Sequence, residues 1–269
     1  LAKVKEIYEQ IGIDQLWHSG HKPGGEHKET YEDLKFVIKK LGEENVFRLR
    51  GSREENKLDE EEIVLGDINY NILAPADYVS DEIEGEKPED RYARIHEQCG
   101  VIRFKYGEDE KQILITGDAD YKAWKDHITD YHKDRLPSTV LSAAHHGSRS
   151  FFWKDADTDE DPYKEHLGNI EPSYVIVSAP KEKESKHGHP HKEAMDLYRE
   201  KVGDDAVFHL GEKRECIIVD INPDGDIDLY PDDELVKKYG DQNGGNGGRG
   251  KKVIASTVVT KIDRKPMGD

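Results

Sequence analysis

Residues 138–148 read Ser138-Thr139-Val140-Leu141-Ser142-Ala143-Ala144-His145-His146-Gly147-Ser148. A short apolar run that breaks off at two histidines, a glycine and a serine is the pattern of a buried strand delivering polar groups into a loop. Upstream, Ile113-Leu114-Ile115-Thr116-Gly117-Asp118-Ala119 has the same form and ends on a carboxylate. Downstream, Tyr174-Val175-Ile176-Val177-Ser178 is a third such run. Between the first two, Tyr121–Lys133 carries Trp124, Ile128 and Tyr131 at helical spacing, and Leu136-Pro137 breaks it. Strands alternating with a helix predict a mixed α/β fold.

Working outward, Val4, Ile7, Tyr8 and Ile11 predict a helix over Ala2–Ile11 that Gly12 stops. Ile13–His18 reads as a strand entering the glycine- and histidine-bearing loop Ser19–Lys28, and Thr30–Leu41 as a second amphipathic helix. Val46–Leu49, Glu62–Leu65 and Ile68–Leu73 are strand candidates, while the acidic, proline-containing Asp77–Arg94 reads as a surface loop. Cys99–Tyr106 and Gln112–Thr116 form a hairpin pattern around a polar turn. Asp155–Glu165 reads as an acidic insertion, and a helix runs from Pro190 to about Val202. Ala206–Leu210, Cys216–Ile221 and Asp226–Tyr230 close a domain over residues 1–239. A glycine-rich linker at 240–250 and a basic, β-branched tail at 251–269 follow, the tail being a candidate for engaging a protein partner.

The 269 residues hold 40 Lys plus Arg against 58 Asp plus Glu, a formal net charge of −18. That excludes a basic nucleic-acid coat. No run approaches the roughly 20 apolar residues of a membrane span. Two cysteines, Cys99 and Cys216, cannot build a disulfide framework or a C-x-x-C metal knuckle. A reducing cytoplasm is therefore the expected compartment.

Of the 13 histidines, several stand just past predicted strand ends: His18, His21 and His27; His96; His145 and His146; His187, His189 and His191. Asp118 has the same placement. Loops at strand ends are where α/β sheets collect ligand-binding groups. Imidazoles with a carboxylate form the ligand set of zinc, and suit manganese or iron. The plainer reading of Asp118 is a cap on the helix that begins near Tyr121. For His18, His21 and His27 it is a polar loop beside the cleft, and for Trp124, Phe151, Phe152 and Trp153 it is core packing.

In their order, the Gly117-Asp118 and His145-His146-Gly147-Ser148 motifs with Gly188-His189-Pro190-His191 resemble the metallo-β-lactamase superfamily. The likeness is to the branch that includes the hydrolase domain of bacterial competence DNA-uptake proteins, and covers roughly Leu1 to Tyr230. It implies a four-layer αββα sandwich and two divalent ions, zinc foremost, bridged by Asp118. It implies that His145 and His96 ligate metal, although members of the nearest branch often carry Asn at the latter position. His146 and Ser148 would orient His145 or contact substrate, and His189 and His191 would contact substrate at the pocket rim. The superfamily's H-x-H-x-D-H motif occurs nowhere in the sequence. Either a chain truncated at its N-terminus, lacking its first strands, or a degenerate member would account for that.

The resemblance implies a hydrolase that activates water on its metals, with a short nucleic acid or small phosphodiester as the expected substrate. A lactone or thioester hydrolase on the same fold, and a non-catalytic binding module, are the alternatives.

Overall fold

In the computed structural model, six strands form one mixed sheet in the order β4-β5-β6-β7-β8-β9. They are β4 (Asn69–Ala74), β5 (Val101–Tyr106), β6 (Lys111–Ile115), β7 (Val140–Ser142), β8 (Tyr174–Val177) and β9 (Val207–His209). The pairs β4/β5 and β5/β6 are antiparallel, and β6 to β9 run parallel. A second sheet holds β1 (Leu16–His18), β2 (Val46–Arg50) and β3 (Lys57–Leu58), and β10 (Ile217–Ile221) pairs with β11 (Ile227–Pro231) as a hairpin. The structure describes residues 3–22, 28–51, 57–58, 65–107, 111–155, 157–158, 161–213 and 216–231. All lie in the first of the two units into which the chain divides, residues 1–232. The expected linker and tail, like His27, lie outside the described residues.

Alternation along the strands explains the layers. Leu114, Leu141 and Val175 are neighbours across β6, β7 and β8 and are fully buried. They join Trp124, Phe151, Phe152, Ile170 and Tyr198 in the main core. Those partners come from the helical segment after β6, the loop after β7, and the helices α5 (Glu165–Ile170) and α6 (Lys192–Val202). In β5 the alternate residues Ile102 and Phe104 belong to a second core, built from Phe47 and Leu49 of β2 and Tyr70 and Ile72 of β4. The period-two register of β5 thus serves two cores from one strand. Two further helices, α1 (Val4–Gln10) and α2 (Lys28–Leu41), precede β2, with Leu34 and Val37 of α2 buried.

Two expectations change. Asp77–Arg94 is not a loop: it forms α3 (Asp77–Glu84) and α4 (Pro88–Ala93). Val79 and Ile83, four residues apart, are buried with Ala76, and Pro88 stands in the first turn of α4. Tyr121–Lys133 is not a regular α-helix: Ala123–Ile128 is π-helical, with the Thr129 N–H reaching back to the Trp124 carbonyl at 2.8 Å. Trp124 and Ile128 are buried as expected, whereas Tyr131 is 41% exposed because the wider turn rotates it off the core face.

The cap of this helix is Asp120. Its Oδ1 accepts the N–H groups of Lys122 and Ala123 at 3.1 and 3.2 Å. Burial raises its carboxyl pKa against the pull of those donors. Asp120→Ala is expected to cost about 1 kcal/mol in denaturant unfolding; unchanged stability would assign the capping elsewhere. The plainer reading of Asp118 is therefore taken by its neighbour, and the Asp118 carboxylate is left for other work.

No helix among the described residues is long and apolar enough to cross a membrane.

Candidate metal centre

Parallel pairing puts the C-terminal ends of β6, β7 and β8 at one edge of the sheet, and antiparallel β5 begins at that same edge. Asp118 follows β6, His145 and His146 follow β7, His189 and His191 follow β8, and His96 precedes β5. One edge therefore gathers six of the seven residues singled out in the sequence as open site groups; the seventh, Ser148, lies behind them.

Backbone bonds fix the first two loops against each other. Thr116 Oγ1, fully buried, donates to the Ser142 carbonyl at 2.7 Å, and the His145 N–H donates to the Gly117 carbonyl at 2.9 Å. His145 and His146 then take left-handed backbone conformations, φ 47° and 58°, followed by Gly147 at 76°. Non-glycine residues rarely adopt such angles, and a run of them marks a strained turn. Gly147 is required there for a second reason. A Cβ would lie 2.8 Å from Pro190 Cβ and 3.1 Å from Val177 Cγ1, so the glycine lets the β8 loop close over the turn. The Gly147 carbonyl accepts the His191 N–H at 3.0 Å, which ties the two loops together.

His96, Asp118 and His145 each offer one ligand atom, and these atoms all lie within 4.8 Å of one another. The rings of His96 and His145 are 4.4 Å apart, and His96 Nδ1 is buried without a hydrogen-bond partner among the described residues. An orphaned buried nitrogen beside a second imidazole and a carboxylate fits a divalent cation. His145 Nδ1 lies 3.0 Å from Ser150 Oγ, which itself donates to Ser148 Oγ at 3.0 Å. The direction of that chain assigns the proton to His145 Nδ1 and leaves the Nε2 lone pair for a metal. Burial, then the neighbouring His96, pushes the His145 pKa down to about 4, so the ring is neutral at pH 7.

Around this trio stand the other imidazoles. His146 donates Nδ1–H to the Ser178 carbonyl at 2.6 Å and turns Nε2 toward Asp118 Oδ1, 3.5 Å away. His189 sits 5.0 Å from the His145 ring and stacks on His146 at 6.5 Å. Its pKa is lowered to about 4 by burial and by His191, His146 and His187. His191 Nδ1 accepts the Arg149 N–H at 3.3 Å, which leaves Nε2–H as a donor; burial and Arg149 lower its pKa. Ser148, expected to orient His145 or touch substrate, is 3% exposed and bonded to Ser150. Its Oγ accepts the Ser150 hydroxyl, which in turn meets His145 Nδ1, so Ser148 reaches the His145 ring through Ser150.

A scan against protein-family models finds no match, and neither does a search of the curated proteins.

The sequence reading missed Ser150, whose only signal was a second serine following the His-His-Gly-Ser run. Ser150→Ala is expected to weaken divalent-metal binding about 10–100-fold while costing only about 1 kcal/mol of fold stability. A chelator-competition titration beside a denaturant melt separates the two effects; equal metal affinity would remove Ser150 from the site. Cys99, though close in sequence to His96, is held protonated: burial, then the Asp118 charge, pushes its pKa up to about 12.

Proposed function

We propose that this chain is a metal-dependent hydrolase of metallo-β-lactamase type. The observation that carries the reading is the convergence of His96, Asp118 and His145 ligand atoms within 4.8 Å at one sheet edge. Two imidazoles and a carboxylate would hold a cation with fewer protein ligands than the four of a structural zinc site, as catalytic sites do. When bound, a divalent cation supplies Lewis acidity and brings a water's pKa toward neutrality. Zinc suits this donor set best, with manganese or iron as further occupants.

The chain's own residues divide the remaining work. Asp118 places negative charge against the cation, and His145, oriented by Ser150, gives a neutral nitrogen. His191 presents Nε2–H as a donor to a developing oxyanion, and His189 and His146 wall the site. The two sheets meeting through Phe47, Leu49, Tyr70 and Ile72, with helices over the main core, support the αββα arrangement. Among the described residues one three-ligand set stands, so the proposal is for one ion held by it. His146 Nε2, which faces Asp118, would be available to a second ion that Asp118 bridges.

The proposed substrate is a short nucleic acid or small phosphodiester, because a chain of net charge −18 lacks the net positive charge to follow a long one. The test is a panel of a generic phosphodiester, a lactone and a thioester, assayed with added zinc or manganese. Metal-dependent cleavage of the phosphodiester is expected. Cleavage of the lactone or thioester alone would reassign the substrate class, and metal binding without turnover of any would favour a binding module.

A further inference from the structure

An open cleft of about 480 Å³ lies where the helical segment after β6 meets the stretch that follows the His-His-Gly-Ser turn, and Tyr121, Lys125, Lys154, Thr158, Asp161 and Tyr163 line it. We propose that it holds one nucleoside unit of the phosphodiester substrate, the base against the tyrosines and its phosphate against the lysines. The proposal rests on the hydrolase reading above and adds where its substrate is gripped.

Size and place are the first argument. A volume of about 480 Å³ falls within the roughly 300–1,000 Å³ of small-molecule sites. Tyr121 stands three residues after Asp118, so their Cα atoms are at most about 11 Å apart. Asp120, between them, caps the helical segment and fixes where Tyr121 begins it. The other wall springs from the loop of His145: the Tyr163 N–H donates to the Phe152 carbonyl at 2.8 Å and ties that stretch to the core. Both walls therefore grow from loops that carry the proposed metal ligands.

Aromatic surface is the second argument. The half-buried Tyr121 and Tyr163 meet edge to face, with ring centroids 5.7 Å apart. Tyr163 also packs on the fully buried His166 ring, 4.9 Å away, so the core sets its plane. Fixed aromatic rings beside a phosphodiester site suit bases of any kind, since every base has a π-face to stack.

Charge is the third argument. Lys125 Nζ donates to the Tyr121 hydroxyl at 2.7 Å and lies 5.2 and 5.6 Å from the Tyr121 and Tyr163 ring centroids. That partner is a neutral oxygen, so the ammonium keeps its charge. Among the described residues neither Lys125 nor Lys154 forms an ion pair with a carboxylate. Two ammonium groups against one carboxylate, Asp161, make the described lining positive in a chain of net charge −18. A ligand that carries a flat ring and a phosphate uses both halves of the cleft, and Thr158 offers its sugar a hydroxyl.

Calorimetric titration of the full chain with the dinucleotide thymidylyl-thymidine tests the proposal, with a chelator present so that nothing is cleaved. Saturable binding at one site is expected, with thymidine and dimethyl phosphate each at least about fivefold weaker because each supplies half of the contacts. Tyr121→Ala should weaken the dinucleotide about 5- to 100-fold, the range of one lost base stack. Lys154→Gln should weaken it severalfold and flatten its salt dependence, which a loss of packing alone does not do. Each variant is first checked for native circular dichroism. Three results would overturn the proposal: no saturation by about 10 mM dinucleotide, thymidine or dimethyl phosphate binding as tightly as the dinucleotide, or full affinity in either variant. The titration needs no turnover, so its failure beside metal-dependent phosphodiester cleavage strikes the cleft and leaves the hydrolase standing. Binding here without cleavage of any phosphodiester would instead fail the hydrolase reading and leave a nucleotide site.

Discussion

Asp118→Ala is expected to release the divalent cation, with affinity falling more than about 100-fold, and to lower hydrolysis about 1,000-fold. The first figure exceeds the 10–100-fold effect typical of groups that only support a ligand. The second is several kcal/mol of lost charge stabilisation expressed as rate. Asp118 is the one carboxylate in the ligand trio, and its helix-capping alternative belongs to Asp120, so its removal should leave the fold intact. Asp118→Asn keeps the shape without the charge and should fail in the same direction. Metal content by elemental analysis and turnover by the substrate panel check both variants. Retention of stoichiometric metal in Asp118→Ala would sink the centre as described.

The second large effect concerns the fold. Glu97, adjacent to His96, is 4% exposed and sits among three donors. Arg94 reaches its Oε2 at 3.1 Å, Lys122 its Oε1 at 3.1 Å, and His127 Nε2 its Oε2 at 3.3 Å. Burial alone would push the carboxyl pKa up, but hydrogen bonds from His127, Arg94 and Lys122 outweigh it and hold the value at about 2. Because the folded-state pKa lies below the unfolded one, near 4.5, the contribution is present above pH 4.5 and is lost as pH falls toward 2. A shift of that size corresponds to about 3 kcal/mol. Glu97→Ala removes the carboxylate shared by Arg94, Lys122 and His127 Nε2, while Arg94 keeps Glu86 at 2.7 Å, and it is expected to cost about 3 kcal/mol at neutral pH. Denaturant unfolding across pH 2–7 should show the wild type losing its advantage over the variant through that acid window. A constant difference between them would refute the assignment.

Much of the fold was legible because its strands are short apolar runs with distinct ends. Val140–Ser142, Tyr174–Val177 and the β5/β6 hairpin lie within a residue or two of expectation. Asp77–Arg94 was opaque because only Val79 and Ile83 break an acidic surface, and two buried side chains make a weak periodic signal. The π-helical turn at Ala123–Ile128 leaves the same spacing of Trp124 and Ile128 as an α-helix and could not be told from one. At the site, histidines at strand ends announced themselves. Ser150 did not, because orienting a ring through a hydrogen bond needs only a common residue at the right distance.

The left-handed pair His145–His146 sets stability against the proposed activity. Each non-glycine residue held at such angles costs of order 1–3 kcal/mol, and the folded sheet edge must offset that cost in every molecule. Glycine at either position would relieve it while deleting an imidazole. A screen for thermal resistance alone would therefore select against this turn, and one that also demanded turnover would keep it. The same tension gives the site its pre-set geometry, since a turn that stays strained is one its surroundings hold in a single arrangement.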